Sequence, residues 1–317
     1  MPEFERKIKI GSRASKLALI QANEIRDLLI KKANISASQI EIIEITTSGD
    51  KIKDISLAEI GGKGLFIKEL EENLVEKKID IAVHSAKDVT PLIHSQTILS
   101  AFTKRLDAND YFISKKYQTI NDLPLGATVG TSSARRKAIL LSIRSDLKIN
   151  VLRGNVDTRL RKIFEEKFDA SVIALCAIQR IGLEIENERI ISTNTMIPAV
   201  GQGSLAIQIR CDDDICLELS KYINDFESYL CIKAERAFLR ELNASCKSPI
   251  GVYAAIKDDN FIMKTAIYDI DGSAKYCTDK KILIDRNSVD ANFLINIAKS
   301  AAQETIRNAK SILEKIC

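Results

Sequence analysis

Apolar positions along the chain change period several times, and each change predicts an element. "KIKI" at 7–10 reads as a short strand that runs into "GSRAS". The helix after it carries Ala14, Ala18, Ile25 and Leu29 at helical spacing. "IEIIEITT" (40–47) and "IDIAVHS" (79–85) are further strands, and "LFIKELEENLVEKK" (65–78) between them is an amphipathic helix. This βαβ rhythm predicts an α/β domain.

A second unit begins after about residue 105. "ATVG" leads into "TSSARRKAILLSI", then "INVLRG", a helix over 156–167 and the apolar strand "DASVIAL". "IPAVGQGSLAIQIR" (197–210) returns to an apolar strand after a glycine-rich turn. A chain that leaves one domain and comes back crosses twice between lobes, which predicts a hinge and a cleft. From about 222 the pattern changes to a helix containing "ERAFLREL" and strands near 251–257, 261–269 and 276–284. A closing helix, about 290–315, puts Leu294, Ala298, Ala301, Ala309 and Ile316 on one broad face. The expected domains are 1–105 with 200–221 (α/β), 106–199 (α/β) and 222–317 (α+β).

Length agrees with this division, since 317 residues exceed what one core usually serves. A hydrophobic share of 45% against 28% charged is that of an ordinary soluble globular protein. No apolar run approaches the roughly 18 residues of a membrane span. "MPEFERKIKI" lacks the apolar stretch of a secretory signal, so a cytoplasmic protein is expected. Its seven cysteines then sit in a reducing compartment, where disulfides are not expected. "CDDDIC" (Cys211, Cys216) lacks a second ligand pair and the only histidines are His84 and His94, so no metal is expected. His84 reads as a hydrogen-bonded structural residue. A net charge of +4, 5% aromatics and no tryptophan argue against a nucleic-acid partner.

Candidate chemistry therefore lies in local clusters. "IGSRASKLALI" and "VGTSSARRKAIL" echo one another: strand, glycine, hydroxyl residues, helix. A helix N-terminus offers unpaired N–H groups and partial positive charge, which suits anions, although ordinary capping gives the same pattern. "GGKGLF" (61–66) lacks P-loop spacing and reads as a loop freed by Gly61, Gly62 and Gly64. "HSAKDVTP" (84–91) ends an apolar strand with Ser85, Lys87 and Asp88, at the kind of strand end where α/β sheets bind ligands. The plainer reading makes Asp88 a turn cap before Pro91. "VLRGNVDTRLRK" (151–162) gathers Arg153, Arg159 and Arg161 after Arg135 and Arg136, and arginine forks pair with carboxylate or phosphate. Arg161 reads as a solvated surface residue. In "ELNASCKSPIG" (241–251), Cys246 lies among small and polar residues beside Lys247, unlike the apolar runs that hold packing cysteines.

Taken together, "GSRASKLAL", "GGKGLFIKELE", "DIAVHSAKDV", "VGTSSARRK", "LRGNVDTRL", "PAVGQG" and the C-x-x-P-I-G loop resemble porphobilinogen deaminase (hydroxymethylbilane synthase), in family order over nearly the whole chain. The resemblance implies two periplasmic-binding-protein-like α/β domains around a cleft, plus a smaller C-terminal α+β domain. It implies a dipyrromethane cofactor attached covalently through Cys246, whose thiolate is a soft nucleophile. On it, four porphobilinogen molecules condense to hydroxymethylbilane with loss of ammonia, in haem and tetrapyrrole biosynthesis. Acetates and propionates of the growing chain would account for the arginines. By resemblance, Ser85, Lys87, Asp88, Thr131, Ser132, Ser133, Arg135 and Arg136 contact the cofactor. Arg13, Ser15, Lys63, Phe66, Arg153, Arg159, Arg180 and Gln202 serve the substrate, and Asp88 is the catalytic group. Partners are limited to the small-molecule substrate, with no nucleic acid, no membrane and a monomeric state.

Three departures from the family pattern bear on the site. Glu59 replaces a frequent lysine before "GGKG", Ala244 and Ser245 replace a common Gly-Gly before the cysteine, and Ala177 stands where glycine is common, with Cys176 beside it as packing. A non-catalytic two-lobed anion-binding or sensor protein is the alternative. It would keep the arginines without needing Cys246 or Asp88.

Overall fold

The computed structural model describes residues 6–51, 67–245 and 248–316. In chain order the strands and helices begin with β1 (Ile8–Arg13), α1 (Lys16–Ala33), β2 (Ile40–Ile45), the single turn α2 (Ser48–Lys51), α3 (Lys68–Val75), β3 (Ile81–Ser85) and β4 (Thr97–Phe102). There follow β5 (Asp110–Ile113), β6 (Thr128–Gly130), α4 (Ala134–Ile143), β7 (Lys148–Asn150), α5 (Val156–Phe164), β8 (Ala170–Ala174), α6 (Leu175–Arg180) and β9 (Ile190–Ile191). The chain ends through β10 (Leu205–Arg210), α7 (Asp214–Ile223), α8 (Phe226–Glu241), β11 (Ile250–Lys257), β12 (Asn260–Tyr268), β13 (Lys275–Leu283), α9 (Ala291–Asn308) and α10 (Lys310–Ile316). The described residues fall into two compact units: one holds 6–51, 67–105 and 204–229, and the other 106–203, 230–245 and 248–316.

The first unit is built on a five-stranded sheet in the order β2-β1-β3-β10-β4. β2, β1 and β3 are parallel, and β10 runs antiparallel to both of its neighbours. Alternate side chains serve opposite faces: Ile81 and Val83 join the core under α1 and α7, while Ala82 joins Leu70 and Leu74 of α3. Both faces being covered, the strands read as continuous apolar runs. α1 buries Gln21, Ala22, Ile25, Leu29 and Ala33. Ala14 is exposed and precedes the helix, which corrects its placement on the apolar face.

In the second unit, another five-stranded sheet has the order β7-β6-β8-β5-β9, again with three parallel strands and an antiparallel continuation. The two sheets repeat one device. Lys9 N–H donates to Asp80 Oδ2 at 2.9 Å and Asp80 N–H to the Lys9 carbonyl at 2.8 Å. Thr128 and Asp169 exchange the same two bonds at 2.8 and 2.9 Å. The glycine of each echo is also explained by close approach. A Cβ at Gly11 would come within 2.3 Å of Ile79 Cδ1, and one at Gly130 within 2.9 Å of Leu152 and Phe168.

The antiparallel sheet β11-β12-β13 packs against α8, α9 and α10 through Phe238, Val252, Phe261, Met263, Leu294 and Ala298. Its opposite face reaches α4, since Ala266 and Tyr268 join the core of Ala138 and Val172. The closing helix differs from the sequence expectation by breaking at Ala309 into α9 and α10. Thr305 donates its hydroxyl to the Ala301 carbonyl at 2.9 Å, a back-bond of the kind that bends helices. The bend brings Ala309 and Ile312 into the core. β4 and β5 were not evident in the sequence, because short buried strands such as "TILSAF" lack alternation.

Candidate active site

In the first unit, Arg13 and Ser85 end neighbouring parallel strands at the same edge of the sheet. Ser15 caps α1, accepting from the Ala18 N–H at 3.4 Å and keeping its own hydroxyl proton for another acceptor. Ser85 is already engaged: its hydroxyl accepts from Gln21 Nε2 at 2.9 Å and donates to Gln21 Oε1 at 3.2 Å. After β3 the backbone makes one 3-10 turn, Ala86–Asp88, which leaves Lys87 half-buried and Asp88 exposed. No hydrogen bond or ion pair engages the Asp88 carboxylate among the described residues, so the turn-cap reading has no support there. His84 is buried and bonded to Gln208 at 3.0 Å, as a structural histidine should be.

In the second unit the hydroxyl cluster builds the turn from β6 to α4. Thr131 Oγ1 accepts from Ser133 N–H at 3.1 Å, and Ser133 Oγ caps the helix by accepting from Arg136 N–H at 3.3 Å. Both retain a hydroxyl proton. Ser132 gives its proton to the Leu152 carbonyl at 2.7 Å, tying the ends of β6 and β7 together. Arg153 follows β7, half-buried, with Gly154 next to it at φ 114°, a conformation only glycine adopts readily. Arg159 in α5 turns back and donates from Nε to the Gly154 carbonyl at 2.8 Å. Arg161 is exposed, beside Glu165 at 3.7 Å. Arg180 closes α6 and donates to the Gly203 carbonyl at 3.3 Å.

Sequence reasoning missed Asp110, which no motif marks. It is fully buried at the start of β5 and pairs with Arg135 at 2.9 Å and Arg136 at 2.6 Å. Gln202, also fully buried, donates to Asp110 Oδ1 at 3.0 Å and to the Ala108 carbonyl at 2.7 Å. Burial alone would push the Asp110 carboxyl up, but the Arg136 and Arg135 guanidiniums outweigh it and hold it well below the usual carboxylate range. Burial also pulls the Arg135 guanidinium down, against the opposing pull of Asp110.

Lys63, Phe66 and Cys246, with Glu59 and the glycines of "GGKG", lie outside the described residues. The chain on either side of Cys246 and Lys247 is well defined. α8 ends in a Schellman arrangement: Asn243 N–H bonds the Arg240 carbonyl at 3.0 Å and Ala244 N–H the Leu239 carbonyl at 3.1 Å. The left-handed residue there is Asn243, at φ 50°. Ala244 and Ser245, which stand where glycines are common, do not have positive φ; the left-handed conformation falls one residue earlier, on a type that tolerates it. α8 itself carries Lys233 and Arg236, both lowered by burial, Arg236 to about 10. Ala177 and Cys176 are buried in α6, where they pack.

A carboxylate-bearing pyrrole cofactor fits the donors present. Arg136 is 6% exposed, yet its buried Nε has no hydrogen-bond partner among the described residues, a donor that a carboxylate would satisfy. Strand ends, capped helix starts and buried guanidiniums on an α/β fold are an arrangement of the class that suits anions. Among the described residues no helix is long and apolar enough to cross a membrane, and no group of side chains has metal-holding geometry.

Comparison with known proteins makes the assignment specific. Residues 8–218 match the family model "Porphobilinogen deaminase, dipyromethane cofactor binding domain", and 229–304 match "Porphobilinogen deaminase, C-terminal domain". The chain is 46% identical over 272 residues to a porphobilinogen deaminase of Nitrobacter hamburgensis, covering 86% of each. It is 43% identical over 315 residues to that of Helicobacter hepaticus, covering 98% of this chain and 96% of the other. A solved nutrient binding protein from Burkholderia cenocepacia aligns over 74% of this chain and 95% of its own at 15% identity and TM-score 0.43, too loosely to bear on the fold. The chain belongs to the porphobilinogen deaminase family, the hydroxymethylbilane synthases, which are transferases of tetrapyrrole biosynthesis. Membership sets aside the non-catalytic sensor reading.

Proposed function

We propose that the chain carries its dipyrromethane on Cys246 and there joins four porphobilinogen molecules head to tail, releasing ammonia at each step and finally hydroxymethylbilane. When bound, that group supplies the pyrrole carbon from which the product grows. The Cys246 thiol is suited to hold it: sulfur is a soft nucleophile, and the sequence neighbours Ser245 and Lys247 favour its ionised form.

Carboxylates on the pyrroles call for cationic and hydroxyl donors. In the second unit these are Arg136, Arg153, Arg159 and Arg180, with the hydroxyl protons of Thr131 and Ser133. In the first they are Arg13, Ser15 and Lys87, and the sequence adds Lys63. Ser85, Ser132, Arg135 and Gln202 act at one remove, since their polar atoms bond mainly to the protein itself. Phe66 borders the substrate.

The observation that carries this reading is the exposed Asp88 carboxylate at the end of β3, with no partner among the described residues. Loss of ammonia from porphobilinogen would leave a cation on the substrate, and its coupling would release an α-proton. The Asp88 carboxylate, near the ring N–H groups, would stabilise that cation and accept or relay the proton. The working protein is a cytoplasmic monomer with no nucleic-acid partner. Incubating purified protein with porphobilinogen tests the reading: ammonia should appear with a linear tetrapyrrole, and binding without ammonia release contradicts it.

A further inference from the structure

One buried carboxylate sits between two adjacent guanidiniums whose other bonds differ. Arg135 donates from NH1 to the Ile197 carbonyl at 2.7 Å and from NH2 to Asp110 Oδ2 at 2.9 Å. Among the described residues Arg136 makes a single side-chain bond, from NH2 to Asp110 Oδ1 at 2.6 Å, although its side chain is only 7% exposed. Asp110 Oδ1 is further held by the Gln202 amide at 3.0 Å. The cluster carries two positive charges and one negative.

We propose that Asp110 is a positioning residue for anion recognition. It neutralises Arg135, which then serves as an internal strut, and it fixes Arg136 by one nitrogen. Arg136 thereby keeps Nε and NH1 as separate donors, on either side of the NH2 that Asp110 holds, for a ligand carboxylate. The buried Nε of Arg136 would otherwise lose hydration without replacement, a costly arrangement unless a ligand completes it. The neutralising role also explains why adjacent arginines can both be buried: without Asp110 their charges would repel in a poorly hydrated setting.

This inference rests on the reading that the protein carries a dipyrromethane, so the test scores loading separately from turnover. Apoprotein of the wild type, Asp110→Asn and Asp110→Asn/Arg135→Met would be loaded by incubation with porphobilinogen, and cofactor uptake followed by intact mass below each melting temperature. Asp110→Asn leaves a buried guanidinium uncompensated and should melt well below wild type. The double variant removes both charges of the strut and should regain most of that stability. It should still load at least roughly tenfold more slowly, because Arg136 has lost the carboxylate that holds it; a charged hydrogen bond is worth that much. Recovery of loading together with stability would make Asp110 merely structural and overturn the inference. A double variant no more stable than the single one would equally overturn it, by showing that Asp110 does not serve Arg135. Wild-type protein that takes up no cofactor would instead refute the underlying reading.

Discussion

Ser245 and Ser248 hold one another across the Cys246 position. Ser248 N–H donates to the Ser245 carbonyl at 3.1 Å, and Ser245 N–H donates to Ser248 Oγ at 3.4 Å. The same Ser248 hydroxyl gives its proton to the Ile316 carbonyl at 2.9 Å, so the last turn of α10 is tied to the loop.

Ser248→Ala removes both side-chain bonds at a buried position. Stability should fall by about 1–3 kcal/mol, the usual cost of leaving buried polar groups unsatisfied. Denaturant unfolding of the apoprotein measures this directly, and an unchanged midpoint would mean that the hydroxyl does not tie the loop to α10.

Asp88→Asn should behave in the opposite way. The carboxylate is exposed and has no partner among the described residues, so the melting temperature should stay near that of wild type. Condensation in single-turnover assays on loaded protein should slow by at least roughly 10²-fold, the scale of a lost proton-transfer group. Asp88→Glu should retain more activity, since the charge survives in a displaced position. Near wild-type turnover by the Asn variant would move the acid–base role elsewhere.

Asp110 makes a prediction in pH. A carboxyl held below its unfolded value by Arg136 and Arg135 contributes stability that is complete above the unfolded pKa and is lost as pH falls toward the folded one. Wild-type stability should therefore decline more steeply below about pH 4 than that of Asp110→Asn. Unfolding free energies measured across the acid range check it; parallel curves would contradict the ion-pair assignment.

Much of this was legible in the sequence because it depends on local chemistry. Ser15 and Ser133 cap helices where hydroxyls precede helical spacing, and Gly11 and Gly130 mark the same close approach in both sheets. The strands of the last sheet were readable from their lengths and turns. Asp110 was not, because its meaning comes from Arg135, Arg136 and Gln202, which lie on other segments of the chain. Nor was the break at Ala309, since the apolar face continues across it and only the Thr305 back-bond marks the bend. Local pattern also put Ala14 inside α1, one residue before the Ser15 cap that starts the helix.

The attachment of the cofactor to Cys246 is the central claim, and intact mass spectrometry of the purified protein tests it most directly. Wild type should weigh more than its sequence by one dipyrromethane, and Cys246→Ser should carry no stable adduct. A fully active wild type at its unmodified mass, or a Cys246→Ser protein that retains the adduct, would contradict the account.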